Sequence, residues 1–243
     1  MEHSEEEASE NRADDTLLVR VSPAGPRDAH RGARVDRAPD PRTRRTRAAV
    51  VEAATTLFLR HGYQGTSTDE IARLAAVSKR TVYNNFGDKE RLFTEIILGI
   101  TVTAEQLADE FASELRRAED VPSALRDVAR RLLEAVTRPL ILRLRRLLIA
   151  EARRFPDLAR EYYRGAPGRT LGALAAAFES LAERGALVVP DPQRAAEHFA
   201  FLVLGATLDR AMFDGEQSIP SDAELQRTAD DAARAFLAAY GAR

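Results

Sequence analysis

The stretch TSTDEIARLAAVSKRTVYNNFGDK, residues 66–89, reads as a helix, a tight turn, a second helix and the start of a third. Ser67 and Glu70 stand three residues apart, the capping-box spacing in which a hydroxyl and a carboxylate satisfy free N–H groups at a helix start. Ile71, Ala72, Leu74 and Ala75 supply a short apolar face, Ala76-Val77 forms the turn, and Ser78 suits the N-cap of the next helix. Lys79 and Arg80 then fall in that helix's first turn, where the macrodipole is positive and cations are unfavourable. Stability alone would place acids there. The arrangement makes sense when an anion docks at that end, and phosphate oxygens and guanine edges both qualify. Val82 and Phe86 face inward at i, i+4. Thr81, Tyr83, Asn84 and Asn85 are left outside, each able to hydrogen-bond to phosphates or bases.

Upstream, Arg42, Arg44, Arg45 and Arg47 open a helix whose apolar stripe runs through Val50, Ala53, Ala54, Leu57 and Phe58. His61-Gly62 ends it, with Gly62 as a left-handed cap, and Tyr63 packs back on a small core. Downstream, Gly87-Asp88 caps a long helix from Lys89 to Arg117. Leu92, Phe93, Ile96 and Ile97 tie it to the head, while Leu107, Phe111 and Leu115 tie its far end to the later helices. One helix thus spans two regions and is the natural carrier of coupling between them.

From Arg44 to about Ile97 the chain resembles the TetR family of bacterial transcriptional regulators. The residues that carry the resemblance are Val50-Val51-Glu52-Ala53-Ala54, Leu57-Phe58, Gly62-Tyr63, Thr66-Ser67, Ile71-Ala72, Ala75, Val77-Ser78, Thr81, Tyr83, Phe86 and Lys89. Two positions depart from the family pattern. Ala76 stands where Gly is common, which predicts a strained turn or one of another type, and Asn85 replaces the usual His at a phosphate contact. The resemblance implies a two-fold dimer that places the helix Ser78–Asn85 in successive major grooves of an operator. Lys79 and Arg80 would read bases, with Thr81 and Tyr83 at the groove edge. Thr68, Asn84, Asn85, Lys89 and the arginine cluster including Arg44 and Arg45 would hold phosphates.

Charge is unevenly distributed. Residues 1–41 carry 6 bases and 10 acids, residues 42–91 carry 10 bases and 5 acids, and the remainder carries 20 bases and 23 acids. A basic module between acidic segments is the electrostatic footprint of a nucleic-acid binder with a separate body. Both lysines of the chain, 79 and 89, lie in that module. There is no cysteine, so a disulfide framework and a Cys-based zinc site are excluded. Residues 1–41 read as a disordered extension without a signal peptide, and no apolar run is long enough to span a membrane. A cytoplasmic, nucleoid-associated protein is expected.

From Pro122 the chain reads as helix after helix: 122–137, Pro139 to about Arg154, Pro156–Arg164, a break at Gly165, Pro167 and Gly168, then 169–184, Pro192 to about Phe213, and 222–240. The expected fold is all-α: a three-helix head (residues 42–104) joined by the long fourth helix to an effector-binding and dimerisation bundle (residues 105–243). This part resembles the ligand-binding domains of TetR-like regulators more loosely, through LIAEARRFP at Leu148–Pro156. The segment 199–208, FAFLVLGATL, is apolar nearly all round its helix, so it is either central to its own bundle or covered by another chain. With the last helix it is expected to form a four-helix homodimer interface.

No Glu-x-x-His pair, His-Glu-x-x-His, phosphate-cradling glycine loop or serine elbow occurs, so neither an enzyme nor a metal or other cofactor is expected. Glu197-His198 resembles an acid–base pair, but the histidine reads instead as a satisfied buried or interface residue. A small apolar effector would sit among Leu133, Val136, Leu144, Leu148, Tyr162 and Phe178. Glu151 would either accept a ligand amine or, preferably, pair with Arg153 or Arg154. Two functions fit these readings: a ligand-responsive regulator, most simply a repressor, or an architectural DNA binder whose body serves protein contacts.

Overall fold

A computed structural model describes residues 40–242; the side chain of Glu216 and most of the 1–41 extension lie outside the described residues. The described chain is helical almost throughout, in the order α1 (Pro41–His61), α2 (Thr68–Leu74), α3 (Lys79–Phe86), α4 (Lys89–Arg117), α5 (Val121–Thr137), α6 (Pro139–Glu151), α7 (Pro156–Tyr163), α8 (Arg169–Glu183), α9 (Pro192–Asp214) and α10 (Asp222–Tyr240). Among the described residues no strand forms. Leu187, in the link expected to be extended, makes a single antiparallel bridge to Gly241. The all-α expectation is met, with a helix-turn-helix head and a C-terminal bundle.

Local chemistry sets the helix starts. Asp40 caps α1 by accepting from the Arg42 N–H at 2.9 Å, so the helix begins one residue before the expected start, with Pro41 in its first turn. Ser67 and Glu70 form the reciprocal capping box at α2, and Ser78 accepts from the Thr81 N–H at α3. Asp88 caps α4 through the Arg91 N–H. Residues 165–168 do not break the chain as their Gly and Pro content suggested. Arg164–Gly168 instead forms a π-helical turn leading directly into α8.

The chain falls into two compact units. One comprises residues up to Ile100 together with Leu147–Ala159, and the other comprises Thr101–Arg146 and Arg160–Arg243. The first unit buries Val50, Ala54, Phe58, Ile71, Val82, Phe86, Phe93 and Ile96. Leu74, assigned by the sequence to the buried face of α2, is instead 53% exposed, because α2 buries only Ile71 and Ala72. Phe155, from the α6–α7 joint, inserts into an aromatic cluster of this unit, its ring 4.9 Å from that of Tyr63 and 5.4 Å from that of Phe93. The second unit is built around one core that includes Phe111, Leu125, Leu133, Phe178, Phe199, Val203 and Phe236. The rings of Phe178, Phe199 and Phe236 meet pairwise at 4.8–5.6 Å, favourable edge-to-face and offset spacings. No described helix is long and apolar enough to cross a membrane.

Candidate nucleic-acid interface

Helix α3 is short and amphipathic. Val82 and Phe86 are buried, while Ser78, Lys79, Arg80, Tyr83 and Asn84 are exposed and Thr81 is partly so. Its first turn contains no acid. The free N–H groups and the positive end of the helix dipole therefore reinforce the charges of Lys79 and Arg80. Lys79 Nζ is held by Asp69 of α2 at 2.9 Å, with both side chains more than half exposed. The hydrogen bond to Asp69, and then its charge, raise the lysine pKa. A surface pair of this kind is weak and readily exchanged for a phosphate.

Before α3, the chain turns through Ala76, whose φ of +53° is the one positive value at a non-glycine position among the described residues. The family's common Gly would adopt this left-handed geometry without a Cβ clash, so the turn keeps its type and alanine carries the strain. Gly87, at φ +80°, ends α3 and returns its N–H to the Tyr83 carbonyl.

The remaining expected contacts divide. Arg44 and Arg45 are exposed on the first turns of α1, and Thr68 is half-buried at the start of α2. Arg47, from the same arginine cluster, is buried: it donates to the Asn85 carbonyl, pairs with Glu95 and lies 4.3 Å from the centre of the Phe86 ring. Its place was legible, since it stands three residues before Val50 on the buried stripe. Its partner, 48 residues away, was not. Desolvation raises the pKa of Glu95 in spite of this pairing. The Asn85 side chain donates back to the Thr81 carbonyl at 2.8 Å. Lys89 Nζ donates to the carbonyls of Tyr63 and Thr66, and burial, followed by repulsion from Arg154, lowers its pKa. Arg47, Asn85 and Lys89 thus brace the frame that presents α3.

The expected effector residues also divide. Leu133, Val136 and Phe178 belong to the core of the second unit, and Leu144 and Tyr162 are buried in that unit too. Leu148 and Glu151 belong to the first unit. The preferred ion pair of Glu151 with Arg153 or Arg154 does not form. The Arg154 guanidinium lies over the Tyr63 and Phe155 rings, 5.1 and 5.6 Å from their centres. His198 Nδ1 meets the Tyr240 hydroxyl at 2.6 Å, so that histidine is satisfied. Among the described residues no group of three or more His, Cys, Asp or Glu is placed to hold a metal ion.

Comparison with known proteins meets this geometry. Residues 50–96 match the family model for bacterial regulatory proteins of the tetR family, and residues 123–242 match the C-terminal domain of AefR-like transcriptional repressors. A solved TetR-family transcriptional regulator from Mesorhizobium loti is 39% identical, over 83% of this chain and 100% of that one, with a TM-score of 0.75. The chain belongs to the TetR family. Another solved TetR-like structure, the flavonoid-responsive regulator FrrA, is 31% identical over 82% of this chain and 98% of its own, with a TM-score of 0.63. The HTH-type transcriptional regulator YhgD of Bacillus subtilis is 44% identical over 61 residues, 25% of this chain and 32% of that protein. The chain spans about a third of the length of the curated relatives it matches. As a member of the TetR family it is a DNA-binding transcriptional regulator.

Proposed function

We propose that this TetR-family chain is a repressor that binds a palindromic operator as a homodimer and is released by a small effector. The observation that carries the reading is the acid-free first turn of α3, with Lys79 and Arg80 exposed at a positive helix end. Lys79 and Arg80 read base edges, Thr81 and Tyr83 line the groove, and Ser78, Arg44, Arg45, Thr68 and Asn84 engage phosphates. Lys89 and Asn85 contribute by holding the helix in place.

A homodimer is supported by α9, which buries Phe199 and Val203 in its own core yet leaves Phe201 at 78% and Leu202 at 45% exposure. Phe213, near the end of the same helix, is 85% exposed. Burying such a face against α9 and α10 of a second copy would form the four-helix interface expected from sequence. Effector release is supported by the flavonoid-responsive relative and by the connectivity of α4, α6 and α7, each of which runs from one compact unit into the other. A coupling of about 1–3 kcal/mol would lower operator affinity about 5- to 150-fold.

The test is a gel-shift titration on the DNA upstream of the gene, with wild type and Lys79→Ala/Arg80→Ala. The double variant is expected to lose sequence-specific binding while keeping its fold by circular dichroism. Undiminished specific binding would reject α3 as the reading helix.

A further inference from the structure

Asp69 stands exposed in the first turn of α2, and the start of that helix is satisfied without it: Ser67 and Glu70 cap it reciprocally. Its carboxylate reaches across to α3 instead, where Oδ2 accepts from Lys79 Nζ at 2.9 Å. The bond lies open to solvent, beside the acid-free helix start that carries Lys79 and Arg80. An exposed pair of this kind contributes little to stability. Its position has a larger consequence, because an acid here opposes the approach of any polyanion and cancels one of the two charges at the tip of α3.

A lysine ammonium has three N–H donors and no acceptor. Asp69 takes one donor and leaves two. Guanine shows two neighbouring acceptors, N7 and O6, on its major-groove edge, whereas adenine shows N7 beside an amino group that itself donates. An ammonium held by Asp69 can therefore meet guanine with all three donors in use and the carboxylate still in place. A phosphate is met differently. The Lys79–Asp69 pair carries no net charge, so while intact it releases no counterion from the DNA. A phosphate that displaces the carboxylate is then left beside it, like charge against like. The pair favours a base acceptor over the backbone.

We propose that Asp69 is a positioning residue for sequence specificity. By holding Lys79 it directs the ammonium to the N7/O6 edge of one guanine in each half-site and keeps it from serving as a general phosphate contact. This rests on the reading of α3 as the base-contacting helix and deepens it. Asp69 touches no base and acts through Lys79.

The experiment uses the full chain, the site that wild type selects from a pool of random duplexes, and a scrambled duplex of the same composition. Affinities for both are measured over a range of salt for wild type, Asp69→Asn, Lys79→Ala, Asp69→Asn/Lys79→Ala and Glu52→Gln. The last removes an exposed acid of α1 and controls for charge alone. Asp69→Asn is expected to bind the scrambled duplex more tightly, with a salt slope steeper by about one counterion. Affinity for the selected site rises less, so the ratio of specific to non-specific affinity falls at least about threefold. Glu52→Gln keeps the wild-type ratio. In Lys79→Ala the ratio is already lowered, and adding Asp69→Asn lowers it no further. Replacing the guanines of the site one at a time by 7-deazaguanine, which lacks the N7 acceptor, is expected to weaken wild type about fivefold or more at one guanine per half-site, and Lys79→Ala not at all there.

Three results would each overturn the inference. Asp69→Asn raises both affinities by one factor, as Glu52→Gln does, which would make Asp69 a bulk charge. Asp69→Asn lowers the ratio equally in the Lys79→Ala background, so that it acts without the lysine. No guanine shows a 7-deaza effect that depends on Lys79. In all three cases α3 stands as the reading helix so long as Lys79→Ala/Arg80→Ala loses specific binding. Specific binding retained by that last variant would remove α3 as the reading helix, and the role of Asp69 with it.

Discussion

The ammonium of Lys89 donates to the Tyr63 carbonyl at 2.9 Å and sits 4.3 Å from the centre of the same residue's ring. A second bond, to the Thr66 carbonyl at 2.8 Å, ties the first residue of α4 to the turn between α1 and α2. One cation thus closes the head against the helix that leaves it. Lys89→Met is expected to lower stability by about 1.5–3 kcal/mol, the range for hydrogen bonds to a charged group. Its operator binding should keep a salt dependence closer to wild type than that of Arg44→Ala, whose side chain is free to meet phosphate. Urea midpoints and gel shifts at several salt concentrations measure the two effects, and the reverse order would make Lys89 a phosphate ligand first.

Ala76 holds a left-handed backbone at φ +53°. For an L-residue this costs roughly 1–2 kcal/mol, part of which returns when glycine replaces it at the expense of unfolded-state entropy. Ala76→Gly is therefore expected to stabilise the protein by up to about 1 kcal/mol with operator affinity unchanged. A lower melting temperature would show that the turn is not strained.

The two capping boxes predict a pH effect. The Ser67 hydroxyl, then its backbone N–H, hold the Glu70 carboxyl below its ordinary pKa; the Ser221 backbone N–H, then its hydroxyl, do the same for Glu224. A depressed folded pKa contributes stability that is complete above the unfolded-state pKa and is lost as pH falls through the folded value. Glu70→Gln/Glu224→Gln keeps an acceptor at both caps but removes the titration. Its melting temperature is expected to fall less steeply than wild type on acidification below the normal glutamate range. Parallel Tm–pH curves would show that the caps do not titrate.

Phe155 belongs by sequence to the second half of the chain and by packing to the first unit, between Tyr63 and Phe93. Its near-complete burial makes Phe155→Ala expensive, about 3–5 kcal/mol. Because α6 and α7 flank this residue, the variant is also expected to weaken effector-dependent release. Calorimetry on the variant, with operator release by any compound that releases the wild type, checks both, and a loss under about 1 kcal/mol would mean the aromatic cluster is not a joint.

Phe201 and Phe213 are exposed on α9. Phe201→Glu/Phe213→Glu is expected to convert a dimer into monomers in sedimentation velocity and to reduce affinity for a palindromic site far more than for a half-site. A wild type that sediments as a monomer would remove the homodimer from the proposal.

Most of the helical frame was determined by the sequence alone. The bounds of α4 and α10, the capping box at Ser67 and the cap at Ser78 all depend on groups within three or four residues of each other and on the spacing of apolar side chains. Periodicity and local hydrogen bonding act at that range, so residue order suffices to read them. The tertiary structure alone decided which way polar groups turn and what joins what. Arg47 finds its partner in Glu95, 48 residues away, and Lys89 turns inward because two carbonyls converge from before α2. Phe155 leaves its own half of the chain for an aromatic cluster. Each of these depends on the burial of a charge or ring by residues remote in sequence, and that free energy has no local pattern to betray it.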